Sequence, residues 1–234
     1  MDRRTLLLGA AATLAAPALG GASAGRVIRI IPHTNLGSID PIWTSSTIGR
    51  HHGYLVYDTL FGLTLDLQPT PQMAEGAIEE DDGRTVIIQL RGGLAFHDGE
   101  PVRAADCVAS IVRWSKRNPF GQRLANVTDE LTAIDDRRVR FRLKRAFPLL
   151  PRALANVGQP AYIMPERIAK TDPYRQIDDP TGSGPFRFKR DEFMSGQIVP
   201  LHSRFDRLSI SGIERGQVGA VHLDSDAPSR GGLA

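Results

Sequence analysis

A chain of 234 residues is long enough for one large domain or two small ones, and 41% apolar with 24% charged residues argues against a disordered or fibrous protein. The formal net charge is only +3 and the basic residues are dispersed among acidic ones, so the composition argues against a nucleic-acid-binding protein. Cys107 is the single cysteine, which excludes an intrachain disulfide.

The first 24 residues have the pattern of an export signal. Arg3 and Arg4 precede an apolar stretch that is too short, and too rich in alanine and glycine, to span a bilayer comfortably. Ala22-Ser23-Ala24 is a small-residue cleavage pattern. We therefore expect a signal peptide over residues 1–24, cleaved after Ala24, and a periplasmic mature protein. The paired arginines favour the twin-arginine route, and a general secretory signal is the alternative.

The next segments predict a strand, a helix and a loop. RVIRIIPHT is a β-branched run that is typical of a buried strand. Apolar residues at near-helical spacing then predict a helix that Ser45 or Ser46 caps and Gly62 ends. Pro69 and Pro71 predict a loop after it.

Hairpins and short helices follow. Asp82-Gly83 is a turn signal before a predicted strand over Thr85–Leu90. Asp135-Asp136 precedes RVRFRLK, whose alternation predicts a half-buried strand with a solvated basic face. PLLPRALANV and MPERIAKTDP predict short helices opened by proline, and GSGPFRF predicts a turn entering a strand. Without regular βαβ alternation, this order predicts an α+β, or complex α/β, fold class.

The stretch LRGGLAFHDGEPVRAADC is the one that most resembles a catalytic loop, because His97 and Asp98 are adjacent in it. Adjacent side chains diverge, however, and Asp98-Gly99 is first of all a turn signal. Ala104, Val108, Ile111 and Val112 then form an apolar helical stripe. We interpret the stretch as a structural corner with Cys107 as a buried thiol beside it, and we expect neither catalytic residues nor an enzyme.

Several short motifs occur in a defined order: DP at 40–41, YDTL at 57–60, PQMA at 71–74, DGRT at 82–85, LRGG at 90–93, FHDGEP at 96–101, AADCV at 104–108 and GSGPF at 182–186. In this order and spacing, over residues 27–191, the chain resembles the family 5 extracellular solute-binding proteins. These are the peptide- and nickel-type substrate-binding proteins of ABC importers. The resemblance implies the first lobe of a two-lobed periplasmic-binding-protein type II fold, which closes on its ligand.

The resemblance also implies a domain organisation and a function. It weakens after about Met194, so we expect a partial solute-binding domain over residues 25–194, a divergent tail over 195–234 and a truncated chain. The expected function is binding of oligopeptides or similar small solutes and their delivery to an ABC transporter permease in the inner membrane. We expect a monomer that needs no cofactor. The alternatives are a non-functional fragment and a nickel-type protein that binds a metal or metal complex.

The candidate ligand-binding segment lies between Trp43 and Tyr54, because the loop after the first strand of this fold tends to face the ligand. Trp43 offers an apolar surface, and Arg50, His51 and His52 offer polar ones. A core position is the alternative for Trp43, and a plain surface position is the alternative for the histidines. The two histidines are consecutive and lack the i, i+4 spacing of a helical metal site, so we expect no metal ligands here.

Overall fold

A computed structural model describes residues 32–194, 201–203 and 217–218 of the chain. The expected signal peptide and most of the predicted first strand and tail lie outside these residues. Contacts divide the chain into two units, Met1–His33 and Thr34–Ala234, and every helix and strand given below lies in the second.

The helices of the described residues are α1 (Thr47–Val56), α2 (Ala104–Arg117), α3 (Pro119–Val127), α4 (Leu150–Leu154) and α5 (Glu166–Ala169). The strands are β1 (Asp58–Thr59), β2 (Phe61–Thr64), β3 (Pro69–Pro71), β4 (Ala74–Glu80), β5 (Thr85–Leu90), β6 (Thr128–Ala133), β7 (Arg138–Leu143), β8 (Tyr162–Ile163), β9 (Phe186–Phe188), β10 (Leu201–Ser203) and β11 (Gln217–Val218). This mixture confirms the predicted α+β class.

The largest sheet is antiparallel, in the order β4-β5-β7-β6. Both predicted hairpins are present, and Asp82 and Gly83 take the left-handed backbone, with φ of 53° and 76°, that a tight connection requires. On β7, Val139 and Phe141 are fully buried in the core, whereas Arg142 is exposed and pairs with Asp129 and Glu130, 3.1 Å away in each case. The basic row of β7 is therefore a solvated sheet face, as predicted.

Helix α1 ends at Val56, so the predicted end at Gly62 is wrong. Ser46 accepts a hydrogen bond from Gly49 N and caps its beginning, as one of the two predicted serines should. After Val56 the chain becomes extended because β1 pairs with β8 and β2 pairs with β3. The sequence pattern cannot show these partners, which come from other parts of the chain.

Two further local predictions are wrong, and one helix was not predicted. Pro69 and Pro71 predict a loop, but this segment forms the short strand β3, which pairs with β2 at the edge of its sheet. Helix α3 was not predicted, although Pro119 lies in its first turn and Asn118 caps it. Val112 was placed on the buried stripe of α2 but is 46% exposed.

The start of this unit is tied to a distant loop. Asp40 Oδ1 accepts from the amides of Ile42 and Trp43, and Asp40 Oδ2 accepts from the amide of Ile177 at 3.1 Å. Arg113 of α2 donates to the same Oδ2 atom. The segment before α1 is thus anchored although it has no regular secondary structure.

Two short strands beyond Met194 belong to sheets of this unit. Strand β10 pairs with β9, and β11 pairs with β2. Within the described part of the chain, none of the helices combines the length and the apolar character that crossing a bilayer requires.

Candidate functional site

Two of the predicted site residues, Arg50 and Tyr54, lie one turn apart on α1 and hold the same loop. Arg50 Nη1 donates to Gly158 O at 2.9 Å, and the Tyr54 hydroxyl donates to Val157 O at 3.3 Å. The Tyr162 hydroxyl donates in turn to Arg50 O at 2.9 Å. The structure therefore brings Arg50 and Tyr54 together at the loop over residues 156–160.

The same loop is held from α2. Trp114 Nε1 donates to Gln159 O at 2.8 Å, and Asn118 Nδ2 donates to the same oxygen at 3.2 Å. Three consecutive carbonyls, from Val157 to Gln159, thus accept hydrogen bonds from α1 and from the end of α2. This loop was not among the predicted site segments, and the signal that could have found it is Gly158 and Pro160 between two predicted helices.

A small hollow of about 10 Å³, with room for about one water molecule, lies where this loop meets Tyr54 and β2. Its apolar walls include Phe61, Leu63, Val157 and Pro160, and none of its described lining residues carries a charged side chain. Burial raises the pKa of Tyr54 to about 12, and the nearby Arg50 only partly opposes that rise. The phenol is therefore neutral at physiological pH, and it adds no charge to the lining of the hollow.

Trp43 lies in a different environment. Its indole Nε1 donates to Tyr174 O at 3.3 Å, and its carbonyl accepts from Arg117 Nη2 at 2.8 Å. The Arg117 guanidinium carbon lies 5.8 Å from the centre of the Trp43 ring and 5.2 Å from that of Tyr174. Trp43 is half-buried, so it is neither a full core residue nor a free surface one. Arg117 and Tyr174 were not singled out in the sequence.

The two histidines separate. His51 is exposed, but His52 is only 4% exposed, which corrects its expected place on the polar surface beside Arg50 and His51. The His52 ring meets Phe188 edge to face at a centroid distance of 5.3 Å, and among the described residues neither of its nitrogens has a hydrogen-bond partner. Burial lowers its pKa from 6.5 to about 4, because charging the ring there would cost solvation. His52 packs in the core.

No grouping of three His, Cys, Asp or Glu side chains that could hold a metal occurs within residues 32–194, 201–203 and 217–218. Cys107 is fully buried, and burial raises its thiol pKa far above the ordinary value. This is the opposite of the low pKa that a nucleophilic or metal-binding thiol needs.

His97 is bound to the GSGPF turn, as a structural corner requires. The His97 amide donates to Gly182 O, and its Nε2 lies 2.8 Å from Gly184 O. The Gly182 amide points to His97 Nδ1 at 3.4 Å. These contacts assign the proton of a neutral ring to Nε2. Asp98 turns elsewhere, because its Oδ2 accepts from Arg167 at 2.7 Å.

A family model described as the bacterial extracellular solute-binding proteins, family 5 Middle, matches residues 68–201, more than half of the chain. The chain belongs to the family 5 extracellular solute-binding proteins. The match includes six of the eight motifs on which the sequence resemblance rested, among them the FHDGEP corner, the following helix and the GSGPF turn. That resemblance is therefore confirmed.

Relatives and solved structures agree with this membership. The chain is 39% identical over 198 residues to a Sinorhizobium fredii protein named a "probable peptide ABC transporter periplasmic-binding protein", covering 82% of this chain and 37% of the relative. It is 30% identical over 186 residues to the glutathione-binding protein GsiB of Salmonella typhimurium, covering 78% and 35%. The substrate-binding domain of an oligopeptide ABC transporter from Bacillus anthracis superposes with a TM-score of 0.61 at 20% identity, covering 74% of this chain and 37% of that one.

The chain therefore spans little more than a third of the length of the family 5 proteins that it matches. The neighbouring structures are periplasmic binding proteins of mixed α/β content, and the unit described here is consistent with one lobe of that fold.

Proposed function

We propose that this chain is part of the periplasmic substrate-binding component of an ABC importer, that it binds a peptide or similar small solute, and that it delivers the solute to a permease in the inner membrane. The observation that carries the proposal is the match of residues 68–201 to the family 5 solute-binding proteins. The uncharged hollow at Tyr54 supports a place for the solute, because its wall is a loop held by hydrogen bonds from two helices. Solute sites are typically concave, mostly apolar and largely preformed.

The solute class rests on two further points. One relative is named as a peptide transporter component and another as a glutathione-binding protein, and both names support a small peptide-like solute. The lining of the hollow contains phenol, amide and aliphatic groups without a charge, which suits a neutral side chain better than a bare ion.

We propose that the hollow is one wall of a cleft. Since the chain spans little more than a third of its relatives, the opposite wall corresponds to the part of those proteins that it does not match. Loss of that wall removes both contacts and the desolvation that strengthens polar contacts. Loss of about half of an interaction of roughly 8 kcal/mol takes a micromolar binder to about the millimolar range, so we expect weak binding by this chain alone.

The export steps are part of the same proposal. Arg3, Arg4 and the Ala22-Ser23-Ala24 pattern support cleavage after Ala24 and a periplasmic mature protein. N-terminal sequencing of periplasmic material checks the cleavage site, and a product that begins at Met1 contradicts it. Replacement of Arg3 and Arg4 by lysine should block export by the twin-arginine route, whereas undiminished export favours the general route.

Calorimetric titration with short peptides tests the solute site. The expected result is weak heat that saturates only in about the millimolar range of peptide. Tyr54→Ala should weaken it, and Phe120→Ala, a change at a 55% exposed aromatic outside the hollow, should leave it unchanged. Tyr54→Phe keeps the ring and loses only the bond to Val157, so it should bind almost normally. Circular dichroism verifies that each variant is folded. Equal binding by wild type and Tyr54→Ala would remove the hollow from the proposal.

A further inference from the structure

An arginine lies between two aromatic rings at the end of α2. The Arg117 guanidinium carbon is 5.2 Å from the Tyr174 ring centre and 5.8 Å from the Trp43 ring centre, within the range of cation–π attraction. One of its nitrogens donates to Trp43 O at 2.8 Å. We refer to Trp43, Arg117 and Tyr174 as the arginine–aromatic cluster.

The cluster is held in position although it faces solvent. Tyr174 is 66% exposed, which is unusual for an aromatic side chain. Its backbone is nevertheless fixed, because its carbonyl accepts from the Trp43 indole and its amide donates to Asp172 Oδ1 at 2.7 Å. A group that binds here therefore meets a surface that is already ordered, which lowers the entropic cost of binding.

Among the residues that the structure describes, the positive charge of the cluster has no acidic partner. Arg138, Arg142 and Arg167 each pair with a carboxylate on the surface. In the described part of the chain no Asp or Glu oxygen lies within 4 Å of an Arg117 nitrogen. A guanidinium has five N–H donors in a planar fork, and the contact with Trp43 O uses one nitrogen.

We propose that the arginine–aromatic cluster binds a carboxylate group of the solute, an inference that rests on the function proposed above. The Arg117 fork can pair with both oxygens of a carboxylate, and such charge-assisted pairs are among the strongest hydrogen bonds in proteins. The Trp43 and Tyr174 rings flank the cation and offer apolar surface to the carbon atoms beside the carboxylate. Trp114 and Asn118, which flank Arg117 in sequence, hold the loop that forms one wall of the hollow.

A carboxylate can come from the C-terminus of a peptide or from a non-peptide organic acid, and tryptophan fluorescence distinguishes these sources. The chain has two tryptophans, and Trp114 is 1% exposed, so Trp43 is the one that responds to a ligand at the surface. Titrations at constant ionic strength compare a dipeptide, the same dipeptide as its C-terminal amide, and acetate. Saturation by the acid, with the amide about tenfold weaker, is the expected result.

Variants then locate the effect. Arg117→Gln should lose the fluorescence response, and Arg117→Lys should keep only part of it, because lysine retains the charge but not the planar fork. Arg123→Gln is the matched control, since Arg123 is exposed on α3 and makes none of the contacts of the cluster. Trp43→Phe should remove the signal while calorimetry still detects the acid.

The outcomes separate the two proposals. The carboxylate site is overturned if calorimetry gives the same affinity for the acid and the amide, or if a folded Arg117→Gln variant binds the peptide as tightly as wild type does. Either result leaves the solute-binding function standing. Saturation by acetate but not by the dipeptide supports the carboxylate site and argues for a non-peptide acid. No saturable response to any carboxylate by either method overturns the site, and no calorimetric response to any peptide contradicts the proposed function.

Discussion

Asp40 and Arg113 form a fully buried ion pair. Asp40 Oδ2 lies 2.5 Å from Arg113 Nη2, and the two side chains are 0% and 1% exposed. The same guanidinium donates to the carbonyls of Asp172 and Arg175, at 2.9 Å in each case. Arg113 Nε is buried without a hydrogen-bond partner among the described residues, but both terminal nitrogens of the guanidinium are bound by Asp40 or by backbone carbonyls. The pair therefore joins the segment before α1 to the loop after α5.

Asp40→Ala should therefore be strongly destabilising. Removal of one partner leaves the Arg113 charge buried without compensation, which typically costs about 3–5 kcal/mol. Urea unfolding at pH 7 measures the loss. Asp66→Ala is the control at an exposed aspartate, and it should change the free energy of unfolding by no more than about 0.5 kcal/mol. A loss below about 1 kcal/mol for Asp40→Ala would mean that water reaches Arg113.

His52 should make the stability of the protein depend on pH. Burial lowers its folded-state pKa to about 4 from the unfolded value of 6.5, so the unfolded chain binds the proton more readily. The stabilising contribution of the neutral ring is complete above pH 6.5 and is lost as the pH falls through this interval to about 4. The total loss is about 3 kcal/mol.

The comparison that isolates this effect is between wild type and His52→Leu. The stability advantage of the leucine variant should grow as the pH is lowered from neutral to acidic values, because leucine cannot take up a proton. His51→Leu changes an exposed neighbour and should show no such growth. A difference between wild type and His52→Leu that stays constant with pH would contradict the buried position of the ring.

Sequence reasoning succeeded where the cause is local. The turn at Asp82-Gly83, the alternation along β7 and the cap at Ser46 depend on backbone preferences and on neighbouring residues, and all three are present. The family motifs could also be recognised, because each is a short run of neighbouring residues and their order can be seen directly in the sequence. These features were enough to predict the fold class and the family.

The candidate site could be predicted only in part, because distant partners decide it. Tyr54 was singled out, but the loop that it holds lies 103 residues further along the chain. Trp43 was singled out without Tyr174, which is 131 residues away. His52 was assigned to the surface because Phe188, which covers it, belongs to a strand that the helical pattern cannot reveal.

Gly182 should tolerate no side chain. A Cβ atom there would lie 1.9 Å from Val56 O, at the end of α1, where something must shift. Gly182→Ala should therefore lower the free energy of unfolding by about 1–3 kcal/mol. Gly92→Ala is the matched control, because a Cβ at that position meets nothing within 4 Å. Equal thermal stability of the two variants would show that the GSGPF turn is not packed against α1.

Cys107 should be unreactive in the folded protein. It is fully buried, and the pKa of its thiol is raised, so almost no thiolate is present at neutral pH. A chromogenic disulfide reagent should react with one thiol per chain in denaturant and should react in native buffer only as fast as the protein opens. Rapid native modification would place Cys107 at the surface.

The bond between Ile177 and Asp40 spans 137 residues. A ribosome makes Asp40 first, then Arg113, and later Asp172, Arg175 and Ile177, whose backbone groups complete the hydrogen bonding of the pair. Contacts of such sequence separation form late, since loop closure must precede them. The beginning of this unit is thus locked by residues 172–177, and the order in which the parts become stable differs from the order in which they are synthesised. A nascent chain that has not yet reached residue 177 must keep its first segment open.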